Sequence, residues 1–87
     1  MQGRRIDCPF DELGGLVTQW PQPGDYYFDP RAGWMAVTPS NHLGDLSNHD
    51  VVEHADRTIT VSPSILVSGQ GVAPWHGYLE RGVWRAV

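Results

Sequence analysis

The run Thr58-Ile59-Thr60-Val61-Ser62-Pro63-Ser64-Ile65-Leu66-Val67 carries the strongest secondary-structure signal in the chain. It is rich in β-branched residues, and its first four residues alternate polar and apolar side chains, as a strand with one buried face does. We therefore expect Ile59 and Val61 to face a core. Pro63 separates this alternation from a second apolar run, and proline belongs at an edge, a bulge or a corner of a sheet.

The residues before this run predict two hairpins. Residues 50–54, DVVEH, can be read as a helix capped by Ser47 or Asn48. We favour a strand that pairs with residues 58–61 across a short connection at residues 55–57. Residues 25–28 and 34–38 also read as strands. Between them Asp29-Pro30 opens a turn, and Gly33 can supply a positive φ to close it.

The end of the chain predicts a further hairpin. Residues 77–79 and 83–85 flank Glu80-Arg81-Gly82, which we interpret as a three-residue loop closed by Gly82. In that register Leu79 opposes Val83 and Tyr78 opposes Trp84. Near the N-terminus, residues 9–13 predict at most one helical turn, and residues 16–20 predict a short strand.

These elements define one mostly β domain over residues 1–87. We expect about six or seven short strands in sequential hairpins, which form a small antiparallel sheet. Rolling that sheet into a half-open barrel would protect its edges and enclose the aromatic side chains. A chain of 87 residues buries a thin core, so self-association into a homo-oligomer stays open as a source of added stability.

Composition argues against several classes of partner. The net charge is −4, lysine is absent, and the arginines are scattered, so we expect no nucleic-acid binding. No apolar run approaches the roughly 18 residues that a membrane span needs, and the N-terminus has no signal-peptide pattern. Cys8 is the single cysteine, which rules out an intrachain disulfide and suits a reducing cytoplasm.

The polar residues do not form a recognisable catalytic or metal-binding motif. His42, His49, His54 and His76 are candidate metal ligands, but their spacing matches no known site, so we predict no metal and no cofactor. A nucleophile triad could be assembled from Ser62 or Ser64 with His76 and Asp56. The chain has no GxSxG elbow, and a domain this small has little room for a cleft, so we predict that it is not an enzyme.

The aromatic residues near the C-terminus are the best candidates for a binding surface. Trp75-His76-Gly77-Tyr78 is the most distinctive cluster, and Trp84 follows it in the predicted hairpin. Tryptophan and tyrosine dominate binding hot spots, yet a thin domain also needs its large aromatics inside. We predict Trp75, His76, Tyr78 and Trp84 as the binding residues, although for Trp75 and Trp84 a place in the core is the favoured interpretation.

Several short motifs occur together in residues 48–87: VEH at residues 52–54, TITVSPSI at residues 58–65, WHGYL at residues 75–79 and GVW at residues 82–84. Together with His49 they resemble an uncharacterised family of small proteins from phages and prophages of actinobacteria. The family carries an Asp-Gly pair where this chain has Asp56-Arg57, which argues against a tight two-residue turn there. The resemblance implies a phage accessory protein in the host cytoplasm, and it implies no activity.

The sequence therefore leaves two hypotheses. The first is a non-enzymatic module that docks on a host or phage protein through an exposed sheet face or edge. The alternative is a small metal-stabilised domain in which the histidines replace the missing disulfides.

Overall fold

A computed structural model describes all residues, 1–87, and contains eight β-strands and no helix. The prediction of a mostly β domain is confirmed, with one or two more strands than expected. The strands are β1 (Arg4–Arg5), β2 (Asp25–Asp29), β3 (Gly33–Val37), β4 (Leu43–Asp45), β5 (Asp50–Glu53), β6 (Ile59–Val67), β7 (Trp75–Glu80) and β8 (Val83–Ala86).

The strands form two four-stranded sheets in place of one rolled sheet. The first sheet has the order β1-β2-β3-β4 and the second has the order β5-β6-β7-β8. All neighbours are antiparallel except β1 and β2, which are parallel. The chain is therefore a pair of packed sheets, and the expected half-open barrel does not form.

The N-terminal segment ties the two sheets together. Met1 pairs with Trp84 of β8 through two hydrogen bonds: its N-terminal ammonium group donates to the Trp84 carbonyl at 2.9 Å, and the Trp84 N–H donates to the Met1 carbonyl at 2.8 Å. The Gly3 N–H donates to the Gly82 carbonyl at 2.7 Å, and the next residue, Arg4, bonds to Gly24 beside β2. This short extended segment thus pairs first with the β8 edge of the second sheet and then with β2 of the first sheet. No strand is predicted there, because Gly3 has little β propensity and β1 is only two residues long.

The core lies between the two sheets. As predicted, Ile59 and Val61 point inward from β6, and Ile65 continues the same face. Side chains of both sheets form one buried cluster, as expected for two packed layers. The cluster contains Tyr26, Ala36, Leu46, Ile59, Val61, Ile65, Leu79 and Trp84.

Pro63 occupies an irregularity within β6. The pairing of β6 with β7 shifts between Val61 and Ile65, where β6 contains two residues more than its partner. The proline therefore lies at a bulge, one of the three positions predicted for it. The strand continues through this bulge to Val67, so the serine–proline–serine sequence does not end it.

Two of the predicted hairpins are confirmed. Asp29 pairs with Gly33, which closes the first turn at a φ of 86°. Residues 50–53 form a strand, and the predicted connection at residues 55–57 is closed by a 2.8 Å bond from the His54 N–H to the Thr58 carbonyl. Arg57 takes the left-handed conformation that this three-residue loop requires, with a φ of 73°.

The C-terminal hairpin exists, but its predicted register is wrong by one residue. Leu79 opposes Trp84, and Tyr78 opposes Arg85. The loop has two residues, because Arg81 and Gly82 both adopt positive φ values, 45° and 77°. Two consecutive left-handed residues make the type I′ turn, which matches the twist of the strands.

Residues 8–20 form neither the predicted helical turn nor the predicted strand. Phe10 and Leu16 make an isolated bridge, and the Asp11 carboxylate accepts hydrogen bonds from the N–H groups of Leu13 and Gly15. The ring of Trp20 packs edge-on against Phe10 at 5.5 Å. Side-chain contacts and turn bonds hold this segment in place of a strand ladder.

Candidate functional site

Strand β7 separates the predicted binding residues into two groups. Alternate side chains of a strand point to opposite faces of the sheet. Trp75 and Leu79 point toward the core, whereas His76 and Tyr78 point outward. The sheet therefore does not present the four predicted residues as one surface.

Trp84 is a core residue. It is 1% exposed, its indole N–H donates to the Gly24 carbonyl at 3.0 Å, and its ring packs edge-on against Trp75 at 5.5 Å. Trp75 is partly buried against the same cluster. In the folded domain the two tryptophans pack against each other, and Trp84 offers no surface to a partner.

His76 and Tyr78 belong to a five-residue cluster on the outer face of the second sheet. Leu66 of β6 lies directly opposite His76, and Arg85 of β8 lies directly opposite Tyr78. Ser64 joins them through a hydrogen bond between its hydroxyl and His76 Nε2 at 2.9 Å. We call these residues, Ser64, Leu66, His76, Tyr78 and Arg85, the outer patch.

The outer patch mixes apolar and polar groups and carries a compensated charge. Leu66 is 65% exposed and Tyr78 is 40% exposed. The Arg85 guanidinium lies 5.9 Å from the centre of the Tyr78 ring and pairs with the carboxylate of Glu80. A surface of this composition resembles the centre of a protein interface more than the basic surface that nucleic acid requires.

The Ser64–His76 pair is the only part of the suggested triad that the fold assembles. Asp56 lies at the tip of the β5–β6 hairpin, where its carboxylate accepts bonds from the N–H and hydroxyl of Thr58 at 3.0 and 2.6 Å. No acidic residue hydrogen-bonds to His76, so nothing orients the imidazole as a triad requires. The absence of enzymatic activity stays a prediction.

The four histidines do not meet at one site. His54 Nε2 bonds to the Thr60 hydroxyl at 2.7 Å, and His76 belongs to the outer patch. His42 and His49 come from the turns before and after β4, and both line the same cavity. Nowhere in the chain do three His, Cys, Asp or Glu side chains meet in a group that could hold a metal ion.

The cavity that His42 and His49 share lies between the two sheets and has a volume of about 190 Å³. Both sheets contribute to its wall, since Ala36 comes from β3 and Trp84 from β8. Asp45 stands at its exposed rim. A hydrogen bond from the Ser47 hydroxyl, supported by the Ser47 N–H, lowers the pKa of the Asp45 carboxyl below its ordinary value. The rim is therefore negatively charged at neutral pH.

Leu66, which is more exposed than Tyr78, was not predicted from the sequence as a binding residue. The alternation that places Ile65 and Val67 inward could have identified it, because the residue between them must face outward. A second group of exposed apolar side chains, in the segment of residues 8–20, was also not predicted. That group contains Leu13, Leu16, Val17 and Trp20.

Comparisons of the chain with protein-family models, with curated proteins and with solved structures found no match. The structure contains no helix of the length and apolarity needed to cross a membrane.

Proposed function

We propose that this protein is a small non-enzymatic binding module that docks on a host or phage protein through the outer patch. The observation that carries this proposal is the exposure of Leu66 and Tyr78 on the same face of the neighbouring strands β6 and β7. Tyrosine and arginine are enriched at the energetic centre of protein interfaces, and both occur in this patch.

Rigid presentation favours the outer patch over the exposed apolar residues near the N-terminus. The patch is built on three hydrogen-bonded strands, β6, β7 and β8, so its side chains are ordered before a partner arrives. Leu13, by contrast, stands at a turn and is 96% exposed. A preformed surface loses less conformational entropy on binding.

The resemblance to phage and prophage proteins of actinobacteria supplies the cellular setting of the proposal. In that setting the module acts in the host cytoplasm during infection, and its partner is a protein of the host or the phage. No specific observation favours the metal-stabilised alternative.

Affinity purification of the tagged protein from infected cells tests the proposal. The wild-type protein is expected to retain one partner in constant proportion. The double variant Leu66→Glu/Tyr78→Glu should lose it, because two carboxylates in the contact would be desolvated without partners. Both altered side chains are solvent-exposed, so the melting temperature should remain close to that of the wild type.

The matched control is Leu13→Glu, which places the same charge on the other exposed apolar region. It should retain the partner. If the double variant folds and still retains the partner, or if Leu13→Glu alone loses it, the outer patch is not the docking surface.

A further inference from the structure

The cavity between the sheets has features that the proposed docking role does not use. We propose that it binds a small uncharged aromatic molecule with a single ring and one hydroxyl group, a ligand of the phenol class. This proposal does not rest on the docking role, although Leu66 borders both the cavity and the outer patch.

The volume and floor of the cavity set the size and polarity of the ligand. A cavity of about 150 Å³ lined by apolar side chains is known to accept benzene. The present cavity is about 190 Å³, and its buried wall contains Ala36, Leu46, Ile65, Val67 and Trp84. One six-membered ring with one substituent fits this space.

The imidazole rings of His42 and His49, which line this cavity, both have nitrogen atoms without a hydrogen-bond partner. The His42 ring is half-exposed and makes no hydrogen bond within the protein; only its backbone is bonded, to Thr38. His49 Nε2 donates to the Ser64 carbonyl at 3.2 Å, which leaves Nδ1 as an acceptor that is shielded from solvent and has no partner. We assign the ligand hydroxyl to His42, because the His49 acceptor is shielded whereas the His42 ring is half-exposed.

Charge at the rim excludes ligands with an acidic group. The Asp45 carboxylate is ionised at neutral pH, and no arginine lines the cavity. A benzoate would place its carboxylate beside this charge without a cation to balance it. The hydroxyl of a phenol is uncharged at neutral pH and can hydrogen-bond to an imidazole.

Titration of the isotope-labelled protein with phenol, toluene and benzoate, followed by NMR, tests the proposal. Phenol and toluene have the same shape and differ in the hydroxyl. We expect saturable binding of both, with dissociation constants of roughly millimolar order for ligands of so few atoms, and no binding of benzoate. Contacts should appear between ligand ring protons and the methyl groups of Ala36, Ile65 and Val67.

Two variants and a control separate the contributions. Val67→Phe fills the cavity and should abolish binding of phenol and toluene, whereas Val52→Phe, on the outer face of β5, should leave both unchanged. His42→Leu should weaken phenol by about fivefold, the effect of one net hydrogen bond, and leave toluene unchanged. The ligand contacts in the wild-type protein decide the location if Val67→Phe does not fold.

Three results would overturn the inference. They are the absence of saturable phenol binding, ligand contacts that lie outside the cavity, and a folded Val67→Phe protein that binds as the wild type does. Equal effects of His42→Leu on phenol and toluene would overturn the assignment of the hydroxyl.

Discussion

The indole of Trp75 lies directly over Gly77, two residues along the same strand. A Cβ atom added to Gly77 would lie 2.5 Å from Cη2 of that ring and would also overlap the Arg85 carbonyl of the neighbouring strand. The absence of a side chain at residue 77 lets Trp75 fold back over the strand and reach Trp84. The inward face of β7 therefore depends on this glycine for its packing.

The first prediction follows from that contact. Gly77→Ala should lower the free energy of unfolding by about 1–3 kcal/mol, the usual cost of overpacking a core. Gly44→Ala is the matched control, since Gly44 is also a strand glycine and an added Cβ would meet the His42 ring at an ordinary 3.5 Å. Urea unfolding followed by tryptophan fluorescence measures both variants. Equal stabilities of the two would show that the Trp75 ring and the Arg85 backbone both move aside without cost.

A second prediction concerns a contact between the sheets. Arg5 Nη1 donates to a Glu53 carboxylate oxygen at 3.0 Å and to the Arg57 carbonyl at 2.9 Å, and the guanidinium lies 4.8 Å from the centre of the Trp34 ring. Arg5 comes from the first sheet, whereas Glu53 and Arg57 belong to the β5–β6 hairpin of the second. The Arg5 side chain is only 18% exposed.

We expect Arg5→Ala to cost about 1–2 kcal/mol, from the lost ion pair, ring contact and aliphatic packing. Arg5→Lys should recover only part of that loss, because an ammonium group cannot reproduce the planar contact with Trp34. A double-mutant cycle with Glu53→Ala isolates the ion pair, whose coupling should shrink as salt is added. A coupling of zero at low salt would contradict an ion-pair contribution from Glu53.

Local patterns predicted the hairpins, but long-range pairing was beyond them. The polar–apolar alternation of residues 58–61 predicts which face of that strand is buried. Gly33 predicts the turn before β3, because glycine adopts positive φ freely. Arg81 carries no such signal, since arginine seldom adopts a left-handed conformation, so the loop was assigned one residue too many. That error moved Trp84 to the opposite face of its strand.

The cavity could not be predicted for a related reason. His42 and His49 lie near each other in sequence, but the wall that they share with Trp84 depends on how the two sheets pack. No local pattern encodes that packing. Part of the outer patch could be predicted, because His76 and Tyr78 lie two residues apart on one strand and so share a face. Leu66 joins them only through the pairing of β6 with β7, which no local pattern specifies.

A third prediction concerns acid stability. The carboxylates of Asp29, Asp45 and Asp56 each accept a bond from the N–H two residues further along the chain. These bonds lower all three pKa values: the Arg31 N–H is the main cause for Asp29, and the hydroxyls of Ser47 and Thr58 are the main causes for the other two.

Because these pKa values are lower in the folded protein, the stabilisation is complete above the unfolded value near 3.9 and is lost as the pH falls through the folded values. The melting temperature should therefore change little between pH 7 and about pH 5 and fall below about pH 4. Asp56→Asn should flatten that fall, whereas Asp7→Asn should not, because Asp7 has a fully exposed side chain and caps no turn. Equal acid slopes for the two variants would contradict the prediction.

The last prediction separates the two aromatic residues that the sequence placed in one binding group. Trp84→Ala removes a fully buried ring, its contact with Trp75 and one of the two hydrogen bonds that the Gly24 carbonyl accepts. We expect it to cost about 3–5 kcal/mol, a large share of the roughly 4–13 kcal/mol available to a domain of this size, so the melting temperature should fall by roughly 12 °C or more. Tyr78→Ala removes an outward ring and should cost below about 1 kcal/mol while weakening partner capture. Thermal melting measures the first effect, and affinity purification measures the second. A Trp84→Ala protein that melts like the wild type but loses its partner would make Trp84 a binding residue and contradict its place in the core.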